Sequence, residues 1–381
     1  MMRNIVILGA SGSIGIQTID VIRKHKNKFK LLGLAVRENI SLLQDVIEEF
    51  KPPYISIYNK SVKLPNLNYS PKVYYGREGL EILASLSEAE LIVIAISGIE
   101  AIYPTQKAIL NNKKIALATK EVIVAAGKFI KEWLKNTKSE IIPVDSEHSA
   151  IFQLIKNRIH IENIILTASG GPFFKNDKKD IENAKIEDVL KHPRWKMGKK
   201  TTVDSANLVN KALEIVEAHY LFNVPYENIK VVIHPQSIVH GIIELLDGSM
   251  MAYLSPPDMR FAIQYALFYP EGPIYKWEKL NLQNLILEFY PVDDDMFPII
   301  KYLYNVVKNG DIYPAILAIS DEIFVSYFIN GQIRFSQIVP LIMELMEKWK
   351  GKSNIDNIDE LFSLIEWVKK ESENLIKTYS S

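Results

Sequence analysis

Cysteine is absent from the 381-residue chain. That excludes disulfides, zinc–thiolate sites and cysteine nucleophiles, and leaves any metal to oxygen or imidazole ligands. Net charge is absent too, because 45 Lys and Arg balance 45 Asp and Glu. No global field therefore draws the chain to nucleic acid or to an anionic membrane. No segment approaches about 18 uninterrupted apolar residues, and Met1-Met2-Arg3-Asn4-Ile5 enters a strand pattern without the apolar core of a signal peptide. The expectation is a cytoplasmic protein with no membrane or nucleic-acid partner. What is present is an ordinary globular composition, 48% hydrophobic and 24% charged, sufficient for sizeable cores.

The beginning reads as an α/β doubly wound sheet. Asn4 to Leu8 is an apolar β-rich run, and Gly9-Ala-Ser-Gly12-Ser-Ile-Gly15 follows it directly. From Ile16 to Lys26 the spacing is helical. A strand, a glycine turn and a helix in that order suit a dinucleotide pyrophosphate, which the helix N-terminus favours through free amides and its dipole. The spacing G-x-x-G-x-x-G varies the usual fingerprint, and a plain tight turn is the alternative. A second strand, Leu31 to Val36, ends in Arg37-Glu38-Asn39, where an acid suits the ribose of NAD and a base the 2′-phosphate of NADP. Both types stand here, and Arg37 favours NADP. Alternation continues through Leu91 to Ile96, a helix over Ile99 to Leu110, Ile115 to Ala118 and a helix over Glu121 to Leu134. Thr119-Lys120-Glu121 and Val144 to Glu147 both sit at strand ends, where such sheets bind ligands.

At the second of these ends, Asp145 and Glu147 are two residues apart. In an extended segment they point the same way, and a cation between them relieves their repulsion. A helix cap by Asp145 or Ser146 ahead of a helix near His148 is the competing reading.

Farther on, Ile164 to Ala168 runs into Ser169-Gly170-Gly171-Pro172-Phe173, which suits an anion nest or a simple turn. His192-Pro-Arg-Trp-Lys-Met-Gly198 reads as a lid over an anionic ligand or as a surface loop with one buried Trp. From Asp204 to Ala218 the pattern predicts a helix with Ser205 at its N-terminus. At about 100° per residue, Asn207, Asn210, Lys211, Glu214 and Glu217 share one side. Ser, Asn and Lys make a set of phosphate donors, with Glu214 one turn beyond for a metal; a solvated polar face is the alternative. His234 closes a strand that looks buried and is read as structural. Asp247-Gly248 marks a hairpin, Pro256 to Arg260 opens a helix, and 269–294 looks like a linker. Helices are expected over Met296 to Asn309, Ile312 to Ile329, Phe335 to Lys350 and Ile358 to Ile376, forming a small bundle.

Taken in order, the glycine turn, the carboxylate pair, S-G-G-P-F, the Trp loop and the N-K-x-L-E helix resemble the 1-deoxy-D-xylulose 5-phosphate reductoisomerase family along essentially the whole chain. The resemblance implies an NADP-dependent Rossmann domain (1–150), a catalytic domain (151–268) with a mobile lid (189–199), a linker (269–294) and a C-terminal four-helix bundle (295–381), in a homodimer. It implies conversion of 1-deoxy-D-xylulose 5-phosphate to 2-C-methyl-D-erythritol 4-phosphate with NADPH and Mg²⁺ or Mn²⁺, with Co²⁺ as a further candidate. By the same resemblance, Asp145, Glu147 and Glu214 hold the metal. Lys120, Glu147 and His192 are catalytic, and Lys120 and Ser146 contact the polar end of the substrate. Ser169, Ser205, Asn210 and Lys211 bind its phosphate, while His192, Trp195 and Met197 close over it. The cofactor falls to Ser11, Gly12, Ser13, Ile14, Arg37, Glu38, Asn39, Thr119, Glu121 and Gly198. The chain departs from the family at Ala10-Ser11 for Ser-Thr, at Arg37-Glu38-Asn39 for a Gly-Lys-Asn-like group, and at Thr119 for Asn. It also carries Ala318-Ile-Ser-Asp-Glu322 for Asn-Ala-Ala-Asn-Glu.

Overall fold

The computed structural model describes residues 2–156, 160–195, 197–273 and 275–380. Lys196 of the expected lid and Ile274 of the expected linker lie outside the described residues. Two compact units emerge: one is Met1–Val122, Ile130–Ser149 and Asp258–Glu278, the other Ile123–Phe129, Ala150–Pro257 and Lys279–Ser381.

In the first unit, β1 (Arg3–Leu8), β2 (Phe29–Val36), β3 (Tyr54–Ile57), β4 (Lys72–Tyr75), β5 (Leu91–Ile94), β6 (Lys114–Leu117) and β7 (Glu140–Pro143) form one parallel sheet. Its order is β4-β3-β2-β1-β5-β6-β7. Ile5, Val6, Ile7 and Leu8 of β1 are all fully buried, because a parallel strand flanked by helices has no solvent face and needs a continuous apolar run. The helices in this stretch of chain are α1 (Ser13–Lys24), α2 (Gln44–Phe50), α3 (Gly76–Ser85), α4 (Ile102–Leu110), α5 (Lys120–Lys135) and α6 (Ser146–Ile155). Strand order reverses between β1 and β5, and loops at the carboxyl ends of those strands form the ligand crevice of such sheets. The short β3 and β4 were not legible as strands: Tyr54-Ile-Ser-Ile57 and Lys72-Val-Tyr-Tyr75 lack the continuous apolar run that marks the equally short β5.

The second unit carries a four-stranded sheet, in the order β11-β10-β8-β9. Its strands are β8 (Ile161–Ala168), β9 (Ile229–Ile233), β10 (Val239–Leu245) and β11 (Met250–Leu254). Only the β8–β9 pair is parallel. Between β8 and β9 lie α7 (Lys178–Glu182), α8 (Ile186–Val189), α9 (Lys199–Ala206) and α10 (Val209–Phe222). The hairpin joining β10 and β11 turns at Gly248, whose φ of +81° suits glycine.

Two segments pack differently from their sequence neighbours. α11 (Arg260–Phe268) packs against α1, β6 and β7 in the first unit, and Arg3 Nη1 donates to the Leu267 and Tyr269 carbonyls at 2.5 and 3.2 Å. The expected catalytic stretch 151–268 therefore spans both units, because contiguity in sequence does not require contiguity in space. The second half of the expected linker is docked: Tyr290 and Ile233 exchange two backbone hydrogen bonds at 2.8 and 2.9 Å.

The tail forms the expected helices, as α12 (Ile299–Val306), α13 (Ile312–Ile329), α14 (Ile338–Lys348) and α15 (Ile358–Ser380). Among the described residues α13 alone is long and apolar enough to cross a membrane, at a mean hydropathy of 1.5. It is 67% buried, packs against α9, α10, α14 and α15, and carries the buried polar residues Ser320 and Asp321. It is the core helix of its unit. The expectation that no such segment exists counted uninterrupted apolar runs, which Ser320-Asp321-Glu322 breaks.

Candidate active site

In the first unit the glycines divide the work of the turn. Gly9 has a φ of +93°, and a Cβ there would lie 2.3 Å from the Ala95 carbonyl oxygen. A Cβ on Gly15 would lie 2.3 Å from the Gly9 carbonyl oxygen. These two are therefore required by packing of the turn on the β5 end and on α1. Gly12 is not: its Cβ would meet nothing closer than 3.3 Å. It stands exposed at the N-cap of α1; its amide donates to the Gly9 carbonyl at 3.1 Å, and Ser11 and Gly12 lead into the first turn, where the Ser13 and Ile14 amides lack helical acceptors. Arg37, Glu38 and Asn39 are exposed at the end of β2. They stand beside the glycine turn, because the Gly9 and Ala10 amides both donate to the Ala35 carbonyl, at 3.0 and 2.8 Å. Thr119 Oγ1 donates to the Ile96 carbonyl at 2.5 Å, tying the ends of β5 and β6 together. Glu121 is buried.

Asp145 and Glu147 do not lie on an extended strand. The Ser149 amide donates to the Asp145 carbonyl at 2.8 Å, the first hydrogen bond of α6, so Asp145 occupies the cap position and Glu147 the first turn. The correction follows from Ser146, which begins the helix two residues earlier than expected. A carboxylate oxygen of Asp145 and one of Glu147 still lie within 4.8 Å of each other, with no strand alternation needed. Lys120 Nζ forms an ion pair with Asp145 Oδ2, and Ser146 Oγ donates to Glu147 Oε2 at 2.5 Å. His148, fully buried, has Nδ1 3.9 Å from Asp145 Oδ2.

In the second unit Gly170 and Gly171 adopt φ of +81° and +63°, curling the chain after β8. A Cβ on Gly171 would lie 2.7 Å from the Ser205 carbonyl oxygen. The curl brings Ser169 Oγ to 2.9 Å from His192 Nε2 and 3.4 Å from Ser205 Oγ. His192 Nδ1 accepts the Trp195 and Arg194 amides at 2.8 and 3.2 Å. An imidazole nitrogen that accepts carries no proton, so Nε2 bears the hydrogen and donates to Ser169. Burial pushes the His192 pKa down to about 4, which keeps the ring neutral near pH 7. The half-buried Trp195 meets the His240 ring edge-on, with centroids 6.0 Å apart, and Met197 is half-buried as well. Gly198 caps α9 in an ordinary extended conformation, and a Cβ there would touch nothing within 4 Å.

The helix expected from Asp204 onward is two helices. Asn207 Oδ1 accepts the Val209 amide at 3.0 Å and Leu208 takes a left-handed φ of 60°, ending α9 and starting α10. Ser205 therefore lies in the last turn of α9, not at a helix N-terminus. The polar side of α10 is not solvated either: Lys211, Glu214 and Glu217 are buried. Asn210 Nδ2 donates to Glu214 Oε1 and Lys211 Nζ to Glu214 Oε2, both at 2.5 Å, and Lys211 also donates to the Thr167 carbonyl at 2.5 Å. Of the expected phosphate donors, Ser169 and Ser205 converge with His192, while Asn210 and Lys211 converge on Glu214.

His234 is structural as expected. The Ile238 amide donates to its Nε2 at 3.2 Å, so Nδ1 carries the proton and donates to the Glu288 carbonyl at 2.8 Å. Burial lowers its pKa. Sequence reasoning missed one buried cluster: Lys200 Nζ bridges Asp204 Oδ2, at 2.7 Å, and Asp321 Oδ2 of α13. The i,i+4 spacing of Lys200 and Asp204 was the available signal; nothing local points to Asp321.

Three family models match the chain in order. They are 1-deoxy-D-xylulose 5-phosphate reductoisomerase over residues 5–127, its C-terminal domain over 141–222, and a DXP reductoisomerase C-terminal domain over 254–371. The 1-deoxy-D-xylulose 5-phosphate reductoisomerase of Caldanaerobacter subterraneus subsp. tengcongensis is 45% identical over 370 residues, covering 95% of this chain and 96% of the relative. A crystal structure of DOX-P reductoisomerase in complex with NADPH, fosmidomycin and magnesium superposes with a TM-score of 0.93 at 31% identity, over 100% of both chains. The Zymomonas mobilis enzyme in complex with NADPH superposes with a TM-score of 0.90 at 30% identity, over 99% of each chain. With its doubly wound sheet, its glycine turn and its full-length likeness to these proteins, the chain belongs to the 1-deoxy-D-xylulose 5-phosphate reductoisomerase family.

Proposed function

We propose that this chain catalyses the family's reaction, the rearrangement of 1-deoxy-D-xylulose 5-phosphate and its reduction by NADPH to 2-C-methyl-D-erythritol 4-phosphate. The observation that carries the reading is the close pair of Asp145 and Glu147 oxygens at the start of α6, two carboxylates against one lysine, whose remaining repulsion a divalent cation would relieve. Glu214, a fully buried carboxylate, would complete an all-oxygen set with them, which suits Mg²⁺ or Mn²⁺. When bound, the ion supplies Lewis-acid polarisation of the substrate's carbonyl and hydroxyl oxygens, and NADPH supplies the reducing equivalent.

The remaining roles belong to side chains. Lys120 offsets the charge of Asp145 and is assigned to the substrate's polar end, as is Ser146, whose hydroxyl donates to Glu147. Ser169 and Ser205 hold the phosphate with Asn210 and Lys211. His192 serves as a neutral Nε2–H donor, fixed in that tautomer by the amides of Arg194 and Trp195; its low pKa argues against a proton-transfer role near neutrality. Trp195 and Met197, within the lid 189–199, exclude water from the ligand. The first turn of α1 receives the pyrophosphate, with Arg37 toward the 2′-phosphate and Glu38 and Asn39 toward the ribose. Thr119, Glu121 and Gly198 are assigned to the nicotinamide half. Residues 1–150 mainly serve the cofactor and 151–257 mainly the substrate, α11 belongs with the first unit, and 295–381 provide support, in a cytoplasmic homodimer.

One assay tests the reading. NADPH absorbance is followed with 1-deoxy-D-xylulose 5-phosphate, with and without Mg²⁺, and the expected result is oxidation that requires both. Metal-independent oxidation would make the carboxylates structural, turnover without NADPH consumption would make the sheet a scaffold, and no turnover would refute the assignment. Light scattering after size exclusion tests the dimer, which a monomeric mass would refute.

A further inference from the structure

We infer that Asp321 of α13 is a positioning residue for the phosphate pocket, acting through Lys200 on α9; this rests on the assignment of Ser169 and Ser205 to the substrate phosphate. α9 has eight residues, too short to hold its own conformation or orientation in water. Tertiary contacts must set both: the buried Val203 and Ala206 on one side and ionic contacts on the other. Lys200 Nζ, in the first turn, donates to Asp204 in the next turn at 2.7 Å and to Asp321 across the unit. Asp204 and Asp321 are nearly or fully buried, at 2% and 0% exposure. An ammonium shared between two buried carboxylates resists displacement, because moving it strands charge away from water.

The geometry then carries over to Ser205. It follows Asp204 directly, and its hydroxyl lies 3.4 Å from Ser169 Oγ, which is itself 2.9 Å from His192 Nε2. Rotating or sliding α9 by a fraction of a turn would separate Ser205 from the other two. Asp321 fixes α9 from the core helix of the unit, so it sets the spacing of a pocket that it does not line. A Cβ on Gly198, at the other end of α9, would touch nothing within 4 Å, so close packing at the cap does not fix this helix; the buried Val203 and Ala206 hold its apolar side and the ion cluster its polar side.

The test compares wild type, Asp321→Asn, Lys200→Met, Lys200→Arg and Ser205→Ala. Asp321→Asn keeps the shape and removes one of two negative charges, so its unfolding temperature should stay close to wild type. The expected result is a substrate KM raised roughly tenfold or more, an unchanged KM for NADPH, and a parallel weakening of competitive inhibition by inorganic phosphate. Lys200→Met should raise the substrate KM likewise while also lowering the unfolding temperature, because it strands two buried carboxylates, and Lys200→Arg should restore most of the substrate KM. An unchanged substrate KM and phosphate inhibition in Asp321→Asn would overturn the inference. So would a lowered unfolding temperature with normal kinetics per folded molecule, the mark of a purely structural cluster. If Ser205→Ala leaves the substrate KM unchanged, the phosphate pocket itself is misassigned, and the inference falls with it.

Discussion

Lys211→Met offers the sharpest test of the buried charges on α10. Lys211 is 2% exposed, and its ammonium donates to Glu214 Oε2 and to the Thr167 carbonyl. Methionine keeps the volume of the stem and removes the charge. Glu214, 0% exposed, is then a buried carboxylate without its lysine, and breaking such a pair costs about 3–5 kcal/mol. For a folding unit of this size that corresponds to an unfolding temperature lower by roughly 6–20 °C. The double variant Lys211→Met/Glu214→Gln removes both charges and should recover most of the loss. A bound divalent ion would take over the lysine's electrostatic role at Glu214. Mg²⁺ or Mn²⁺ should therefore raise the unfolding temperature more in Lys211→Met than in wild type, and a site filled at a hundred times its Kd stabilises by about 2.7 kcal/mol. Differential scanning calorimetry with and without the metal reads all three quantities. A single-variant loss below about 1 kcal/mol, the range of an exposed pair, would refute the argument from burial. Equal metal shifts in both proteins would remove Glu214 from the metal site.

Three further outcomes follow from the geometry. Gly9→Ala places a methyl 2.3 Å from the Ala95 carbonyl oxygen at a φ of +93°; it should destabilise the first unit by about 2–4 kcal/mol and abolish NADPH binding by isothermal titration, whereas wild-type affinity would mean the turn can relax. Arg37→Ala should weaken NADPH about tenfold or more, the worth of one charge-assisted contact, while sparing NADH; equal losses would refute a 2′-phosphate role. His192 titrates in the folded protein at about 4, below its ordinary 6.5, so as pH falls the unfolded chain takes up the proton first. Its contribution to stability is complete above about pH 6.5 and declines toward about pH 4, by about 1–2 kcal/mol once partial solvent screening is allowed for. Urea midpoints for wild type and His192→Gln should diverge in slope across that window, and parallel curves would contradict the burial of the ring.

What the sequence alone determined was local and periodic. Ile5 to Leu8 read as a buried strand and Gly9 to Gly15 as a turn because a short β-branched apolar run bounded by glycines favours those conformations. The tail helices were legible for the same reason. The resemblance in five ordered motifs identified the family before any coordinate, since motif order over a whole chain leaves little room for coincidence.

Where local signals were evenly balanced, only the tertiary structure decided. Asp145 caps α6 and is not part of an extended pair, and its carboxylate still lies within 4.8 Å of that of Glu147. The polar side of α10 had the period of a solvated face. It is buried instead, because Lys211, Asn210 and Glu214 satisfy one another there, and period alone does not distinguish paired charges from hydrated ones. Ser205 moved from a helix N-terminus to the end of α9 because Leu208 takes a left-handed conformation that no residue type announces. Asp321 reaches Lys200 across 121 positions of sequence. No window on the chain contains both, and folding is what makes them neighbours.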